Sequence, residues 1–306
     1  MAVRRAPSER VRPSGVSDRT LALLLVLPAA ALLLVFSVYP FAQAAWDGFY
    51  RIPLASGVGT FVGFANFRRL VGNGDVHAAV GRSLLWTAAN VVVQTGLGLV
   101  MALVLNVKLR GQAVARGLVL FPYMVPAVVV ATIFRFTFND LTGIANYLWL
   151  QLPGVHHPLL FLSSPRSALL TVTLVNCWKY TPFMVIVLLA RLQTLPPDLV
   201  EAARLDGAGA WRLFRDITWP WLRPVLLIAV LLRTIWTVND FDVIYLLAFG
   251  GPLNATTTLP LEIRHLAFDQ QDFGLASALA VLVALGIALA SFGFLYLYHR
   301  AEAELQ

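Results

Sequence analysis

The sequence has little cysteine and little charge, and each shortage excludes a class of protein. It contains one cysteine, Cys177, so it can form no internal disulfide and supply no cysteine-rich metal or cluster site. Charged residues make up 13% of the chain, and the acids are scattered, whereas a membrane enzyme would need clustered carboxylates or histidines. No glycine-rich phosphate loop is present, so we expect that the chain does not hydrolyse ATP itself. His156 and His157 have no further ligands nearby, and we predict no metal site.

Apolar residues are in excess, since 58% of the chain is hydrophobic. This fraction is far above that of a soluble domain. A bilayer core of about 30 Å needs about 20 apolar residues of helix. Six runs qualify, and because none alternates as a strand would, we predict six transmembrane helices. The runs lie at roughly 21–41, 80–105, 117–135, 167–191, 224–249 and 274–298.

The basic residues predict which side of the membrane each segment faces. Twenty-one of the 23 are arginine, and they cluster between the apolar runs, which suits loops against anionic lipid and not a nucleic-acid-binding face. Most of them lie before the first run or after the second, fourth or sixth run. Because successive spans cross the membrane in opposite directions, these four segments lie on the same side. We therefore expect cytoplasmic positions for residues 1–20, 299–306 and about 194–223. A signal peptide cleaved near 42–44 is the alternative, but the first apolar run is longer than a usual signal core.

A charged stretch, EAARLDGAGAWRLFRDITWPWLRP at 201–224, interrupts the apolar sequence between the fourth and fifth runs. Asp198 is placed to cap a helix, with Glu201 three residues later as in a capping box. Gly207 is expected to end or bend this helix. A second short helix is predicted over about 210–218, ahead of a proline. Two short helices with small residues suit a protein partner, whereas an amphipathic helix lying on lipid is the alternative.

The same stretch resembles the EAA loop of binding-protein-dependent ABC importer permeases. The shared pattern consists of Glu201-Ala202-Ala203, Gly207, Ile217 and Pro220, with Trp219 where the family usually has Leu. In that family the loop is a coupling helix that docks into a cleft of the cytoplasmic ATPase. The resemblance implies that Glu201 meets a basic residue there and that Gly207 makes the turn. The implied coupling residues are Glu201, Ala202, Ala203, Asp206 and Gly207.

Further motifs along nearly the whole chain resemble the MalF-type permeases of carbohydrate ABC importers. They are FVGFANF at 61–67, FPYMVP at 121–126, WKYTPF at 178–183, NDFD at 239–242, GGP at 250–252 and QDFGLA at 271–276. The resemblance implies an all-α integral membrane protein of the bacterial cytoplasmic membrane, with the type I importer (MetI-like) permease fold over 21–298. It also implies a second permease of MalG type, two ATPase subunits that bind ATP and Mg, and an extracytoplasmic solute-binding protein. This chain itself would carry no cofactor and no catalytic site.

Polar residues within two apolar runs predict a path for a solute. Polar and ionisable residues inside a membrane are costly and are therefore functional candidates. Aromatic faces stack on a sugar ring, and amides and charged groups hydrogen-bond its hydroxyls. The predicted stripes, at helical spacing, are Asn176, Lys179, Tyr180 and Phe183 in the fourth run and Arg233, Thr237 and Asp240 in the fifth; the resemblance adds Tyr123.

Two interpretations of these stripes remain open. The aromatic residues can equally be core residues, and Lys179 and Arg233 can pair with Asp240 as structural contacts between helices. As a whole, the sequence predicts a permease for a sugar, oligosaccharide or polyol. A glycerol-phosphate importer is the alternative, although Asp240 would repel the anion. An ion-coupled secondary transporter is disfavoured because the two halves show no convincing repeat.

Overall fold

The computed structural model describes residues 17–53, 57–107 and 110–303, and within them it is predominantly helical. The N-terminal segment before residue 17, Lys108 and the last three residues of the expected tail lie outside the described residues. The helices are α1 Arg19–Asp47, α2 Ala65–Val71, α3 Gly74–Leu105, α4 Gln112–Met124, α5 Ala127–Thr137, α6 Ile144–Leu150, α7 Ala168–Leu192, α8 Pro197–Leu205, α9 Ala210–Val238, α10 Asp242–Ala248, α11 Leu259–Arg264 and α12 Phe273–Ala303. A short antiparallel pair, β1 Tyr50–Arg51 and β2 Thr60–Phe61, follows α1.

Five of these helices, α1, α3, α7, α9 and α12, are long and apolar enough to cross a membrane. A sixth crossing is possible if α4 and α5 count as one span, but they meet at 95°. The single helix predicted over 117–135 is therefore wrong. The break falls at Val125, whose backbone is extended (φ −73°, ψ 130°), because the proline that follows disfavours the helical conformation in the residue before it.

The fifth span also differs from its prediction. Helix α9 begins at Ala210 and ends at Val238, and the separate helix α10 follows. The short helix predicted over 210–218 does not end before Pro220 but continues into the span. A π-helical turn at Phe214–Thr218 precedes the proline, and the Trp219 N–H donates to the Phe214 carbonyl. This shift by one residue accommodates Pro220, which has no N–H to donate.

Helices α3, α7 and α9 form the centre of the bundle. Buried apolar residues from α3, α5, α7 and α10, among them Trp86, Val130, Val172 and Ile244, form one core cluster. The Trp86 indole N–H donates to the Thr237 carbonyl of α9 at 3.1 Å. These contacts hold α3 against α7 and α9, the two helices that carry six of the eight predicted path residues.

Helices α3 and α7 approach closely because α3 has a glycine where they touch. A Cβ atom added to Gly98 would lie 2.4 Å from the Met184 Cβ atom, so only glycine fits. Small residues at membrane helix contacts allow such close approach. The contact lies one turn from Gln94 in α3, and it brings that side chain within hydrogen-bond reach of α7.

Two of the sequence motifs meet at the other end of the bundle from the charged stretch. The buried Asn66 side chain, in the motif at 61–67, donates to the Tyr50 carbonyl at 2.8 Å. Gly274, in the motif at 271–276, packs against the same carbonyl, and a Cβ there would lie 1.8 Å from it. The asparagine and the glycine therefore fix the start of α12 against β1, which follows the end of α1.

We predict that Gly98→Ala destabilises the protein, because its new methyl group forces α3 away from Met184. Overpacking of this kind costs about 1–3 kcal/mol. Gly96→Ala on the same helix is the matched control, since a Cβ there meets nothing within 4 Å. Thermal unfolding in detergent should show a lower midpoint for Gly98→Ala alone. Equal midpoints for the two variants would contradict the close contact.

Candidate functional site

A buried hydrogen-bond network joins α3, α7 and α9. The Arg233 Nε atom donates to Gln94 Oε1 at 2.5 Å, and its Nη2 atom donates to Asn176 Oδ1 at 3.1 Å. Gln94 Nε2 donates to the same Asn176 oxygen at 3.0 Å. All three side chains are buried, and Arg233 is 3% exposed. Buried polar groups must be satisfied in this way, above all inside a membrane.

Asp240 extends the network, although it does not lie where the helical spacing predicts. Helix α9 ends at Val238, so Asp240 follows the helix and does not continue the face of Arg233 and Thr237. The Asn176 amide nitrogen donates to Asp240 Oδ2 at 2.5 Å. Among the ion pairs of the described residues, none joins Asp240 to Arg233 or Lys179. Asn176 thus stands between the cation and the acid.

Tyr180 lies beside two cations. The Arg233 guanidinium carbon lies 4.3 Å from the centroid of its ring, and the Lys179 ammonium 5.0 Å. The ring attracts both cations through its negative faces. Lys179 also donates to the Val125 carbonyl at 2.5 Å. That carbonyl belongs to the break between α4 and α5, so the broken helix supplies the acceptor for the buried lysine.

A cavity of about 330 Å³ opens beside the network. Four of the eight predicted path residues line it, namely Tyr123, Tyr180, Arg233 and Asp240. Its other lining residues are Trp236, Asn239, Phe241 and Asp242. The aromatic rings and the hydrogen-bonding groups therefore line the same cavity, and a sugar site requires this combination.

The other four predicted residues lie behind this wall. Asn176 and Lys179 contact the lining residues as described above. Phe183 packs edge-on against Trp236 with ring centroids 4.9 Å apart. Thr237 is fully buried, and its hydroxyl has no hydrogen-bond partner among the described residues. These residues support the cavity and do not form its surface.

The prediction from sequence missed five residues of the site, namely Gln94, Trp236, Asn239, Phe241 and Asp242. Gln94 lies in an apolar span. The sequence feature that could have indicated it is Asn90, one turn earlier, because two amide side chains at this spacing form a polar stripe on one face of the helix. Trp236 also lines the cavity, but the sequence could not have indicated this, because single aromatic residues are common in membrane spans. Asn239, Phe241 and Asp242 belong to the motif at 239–242 but were not predicted to lie on the path; all three line the cavity.

The charges on the cavity wall are unbalanced. Arg233 supplies one positive charge, and Asp240 and Asp242 supply two carboxylates. The guanidinium is already engaged by Gln94, Asn176 and the Tyr180 ring. An anionic ligand would therefore meet carboxylates without a free cation dedicated to it, whereas hydroxyl groups can donate to those carboxylates.

The charged stretch forms an exposed helix followed by a glycine turn. The Ala208 N–H donates to the Ala203 carbonyl at 2.9 Å, and the Gly207 N–H donates to the Arg204 carbonyl at 3.1 Å. With Gly207 at φ +76°, this is a Schellman C-cap, as the sequence predicted in outline. Asp198 is not the N-cap: it lies in the first turn of α8, and Pro196 precedes the helix without a side-chain capping bond.

The predicted coupling residues lie at the surface of this segment. Glu201, Ala202, Asp206 and Gly207 are exposed, and Ala203 is half-buried. Leu205 is 89% exposed. Leu199 in the same helix and Trp211 after the glycine turn are exposed as well, and a group of exposed apolar side chains is typical of a contact surface.

Comparisons with known proteins identify relatives over nearly the whole chain. Residues 94–302 match the family model described as binding-protein-dependent transport system inner membrane component. The chain is 36% identical over 280 residues to the trehalose/maltose transport system permease protein MalF of Thermococcus litoralis, covering 92% of this chain and 93% of that one. It is 35% identical to the sulfoquinovosyl glycerol transport system permease protein SmoG of Agrobacterium fabrum, covering 88% and 87%.

Among solved structures, a similar fold occurs in a bacterial alginate ABC transporter in complex with an alginate pentasaccharide-bound periplasmic protein. The TM-score is 0.80 at 22% identity, covering 92% of this chain and 94% of that chain. At this identity the likeness concerns the fold alone.

We predict that Gln94→Leu destabilises the protein, because it leaves the buried Arg233 Nε–H without a partner and removes one of the two donors to Asn176 Oδ1. An unsatisfied buried group costs about 1–3 kcal/mol, and more where it is charged. The matched control is Gln193→Leu, at an exposed glutamine after α7. Thermal unfolding in detergent measures both. If Gln94→Leu unfolds at the temperature of the unchanged protein, the network does not stabilise the helix contacts.

Proposed function

The chain belongs to the binding-protein-dependent transport system inner membrane component family, and from this premise we propose that it carries a sugar, oligosaccharide or polyol through an ABC importer. It is a membrane permease and not an enzyme. The observation that carries the proposal is the cavity wall that combines Tyr123, Tyr180 and Trp236 with hydrogen-bonding groups. Relatives whose names specify trehalose/maltose and sulfoquinovosyl glycerol support it.

The chemistry of the cavity favours a neutral solute. Asp240 and Asp242 accept hydrogen bonds from hydroxyls, and the three aromatic rings offer apolar faces to a pyranose. A glycerol-phosphate ester, the alternative, would approach these two carboxylates while Arg233 is held by its own partners. Lys179 donates to a backbone carbonyl and does not line the cavity. In the solute path proposed here, Tyr123, Tyr180, Arg233 and Asp240 face the solute, and Asn176, Lys179, Phe183 and Thr237 support them from behind the cavity wall.

We place this chain beside a second permease of MalG type, two ATPase subunits that bind ATP and Mg, and an external solute-binding protein. The exposed α8 supports an ATPase contact, and the periplasmic protein in the alginate transporter complex supports a binding-protein contact. The residues proposed to face the ATPase are Glu201, Ala202, Ala203, Asp206 and Gly207. The excess of basic residues on one side supports a cytoplasmic position for this segment and for residues 1–20 and 299–306.

In the proposed cycle, ATP binding closes the ATPase pair, and the docked α8 moves with it. The helices then pass from an inward-open to an outward-open arrangement, and the binding protein releases its solute into the cavity. Hydrolysis resets the cycle. The ATPase can drive this change only if it binds the two arrangements with different affinity, because equal affinity shifts no equilibrium.

Purification of this chain from its native membrane in mild detergent, with mass spectrometry of co-purifying chains, tests the assembly. We expect a second EAA-bearing permease and an ATPase. The recovered complex, in liposomes with Mg-ATP and the solute-binding protein, should then accumulate maltose, trehalose or a polyol. Uptake that needs no ATP would contradict the importer, and uptake of glycerol 3-phosphate but no sugar would establish the alternative.

We predict that Gly207→Val reduces ATP-driven uptake, because a β-branched residue at φ +76° distorts the turn after α8. The left-handed conformation costs an L-residue about 1–2 kcal/mol, which corresponds to roughly 5- to 30-fold in population. Gly209→Val is the matched control, since Gly209 has the extended backbone (φ −72°, ψ 169°) that valine adopts readily. Uptake by complexes of equal subunit content measures the effect. Equal uptake by the two variants would exclude a requirement for this turn.

A further inference from the structure

Reciprocal contacts between Arg191 and Trp221 hold together the two ends of residues 192–220, which we call the charged segment. The Arg191 Nε atom donates to the Trp221 carbonyl at 3.0 Å, and the Trp221 indole N–H donates to the Arg191 carbonyl at 3.1 Å. The guanidinium carbon also lies 4.0 Å from the centroid of the indole ring. Two hydrogen bonds and a cation–π contact therefore join one pair of residues, which we name the foot clamp.

The foot clamp closes the segment that carries α8. Arg191 lies in the last turn of α7, and Trp221 lies in α9 shortly after Pro220. The chain between them, 192–220, contains α8, the Gly207 turn and the start of α9. Its two ends therefore cannot separate without breaking the clamp.

An apolar cluster continues the clamp into the bundle. Leu188 and Leu192 of α7 pack with Leu222 and Leu226 of α9, and Ala102 of α3 completes the cluster. These side chains are buried. Close packing resists deformation, so the end of α7 and the part of α9 around Leu222 and Leu226 form one stiff unit at the base of the charged segment.

The same two helices carry Lys179, which supports the cavity wall, and Arg233, which lines the cavity, at equal distances from the clamp. Lys179 precedes Arg191 by twelve residues, and Arg233 follows Trp221 by twelve. At 1.5 Å per residue, each separation is about 18 Å along its helix. A displacement of the clamp therefore moves both sides of the polar network together.

We propose that Arg191 and Trp221 are positioning residues that transmit the movement of α8 to the solute cavity. The inference rests on the proposed function, in which α8 is driven by an ATPase. With the clamp intact, movement of the segment displaces α7 and α9 as one body. Without it, the connections at each end of α8 bend, and the ATPase changes state while the cavity does not. The clamp therefore determines how much solute is imported per ATP hydrolysed.

The test uses the complete complex in liposomes, with ATP hydrolysis and maltose or trehalose uptake measured in the same vesicles. The variants are Arg191→Ala, which removes the guanidinium, and Trp221→Phe, which keeps an aromatic ring and removes the indole N–H. We expect the amount of sugar imported per ATP to fall at least about fivefold for Arg191→Ala, the lower end of typical coupling between sites. Trp221→Phe should cause a smaller fall in the same ratio.

Arg223→Ala is the matched control, because Arg223 is an exposed arginine two residues from Trp221. It should leave the ratio unchanged. A ratio that stays at the wild-type value in both clamp variants overturns the inference, and so does a parallel loss of uptake and hydrolysis, which a purely structural role predicts. If the complex with Arg191→Ala does not assemble, the ratio of sugar imported to ATP hydrolysed in the Trp221→Phe complex decides the test. Absence of ATP-driven uptake in the unchanged complex would instead refute the proposed function, and with it this inference.

Discussion

The arrangement of the site depends on the need to satisfy a buried guanidinium inside a membrane protein. Arg233 has almost no access to solvent, and a charge in such a position is tolerated only when protein groups replace its water. Gln94, Asn176 and the Tyr180 ring do so from two other helices. Because α3, α7 and α9 must all be in place for this, one side chain ties the solute cavity to the packing of the whole bundle.

The irregular parts of the helices serve the same network. The break at Val125 leaves a carbonyl that accepts from Lys179, and Gly98 allows α3 to lie close enough to α7 for Gln94 to reach Asn176. An unbroken helix would use its carbonyls internally, and a larger residue at 98 would hold the helices apart. The features that depart from a regular span are thus the ones that shape the site.

The cavity and the charged segment lie at different positions along the same two helices, α7 and α9. Helix α7 carries Asn176 and Tyr180 and ends beside Arg191, and α9 begins in the charged segment and carries Arg233 further on. The continuity of α9 through Pro220 matters here, because a separate short helix would have been linked to the span by a flexible joint. In the structure the π-helical turn keeps the segment and the span in one helix.

The sequence by itself determined the approximate positions of the apolar spans, the position of the charged stretch, the turn at Gly207 and several of the polar residues of the site. These features are local: span length follows from the thickness of the bilayer, and a left-handed residue favours glycine. Only the tertiary structure decided that Asp240 lies beyond the helix yet bonds to Asn176, that Gln94 holds Arg233, and that Asn239 and Asp242 join the cavity wall. Such contacts join residues more than sixty positions apart, and they depend on how closely the helices approach, which no local pattern encodes.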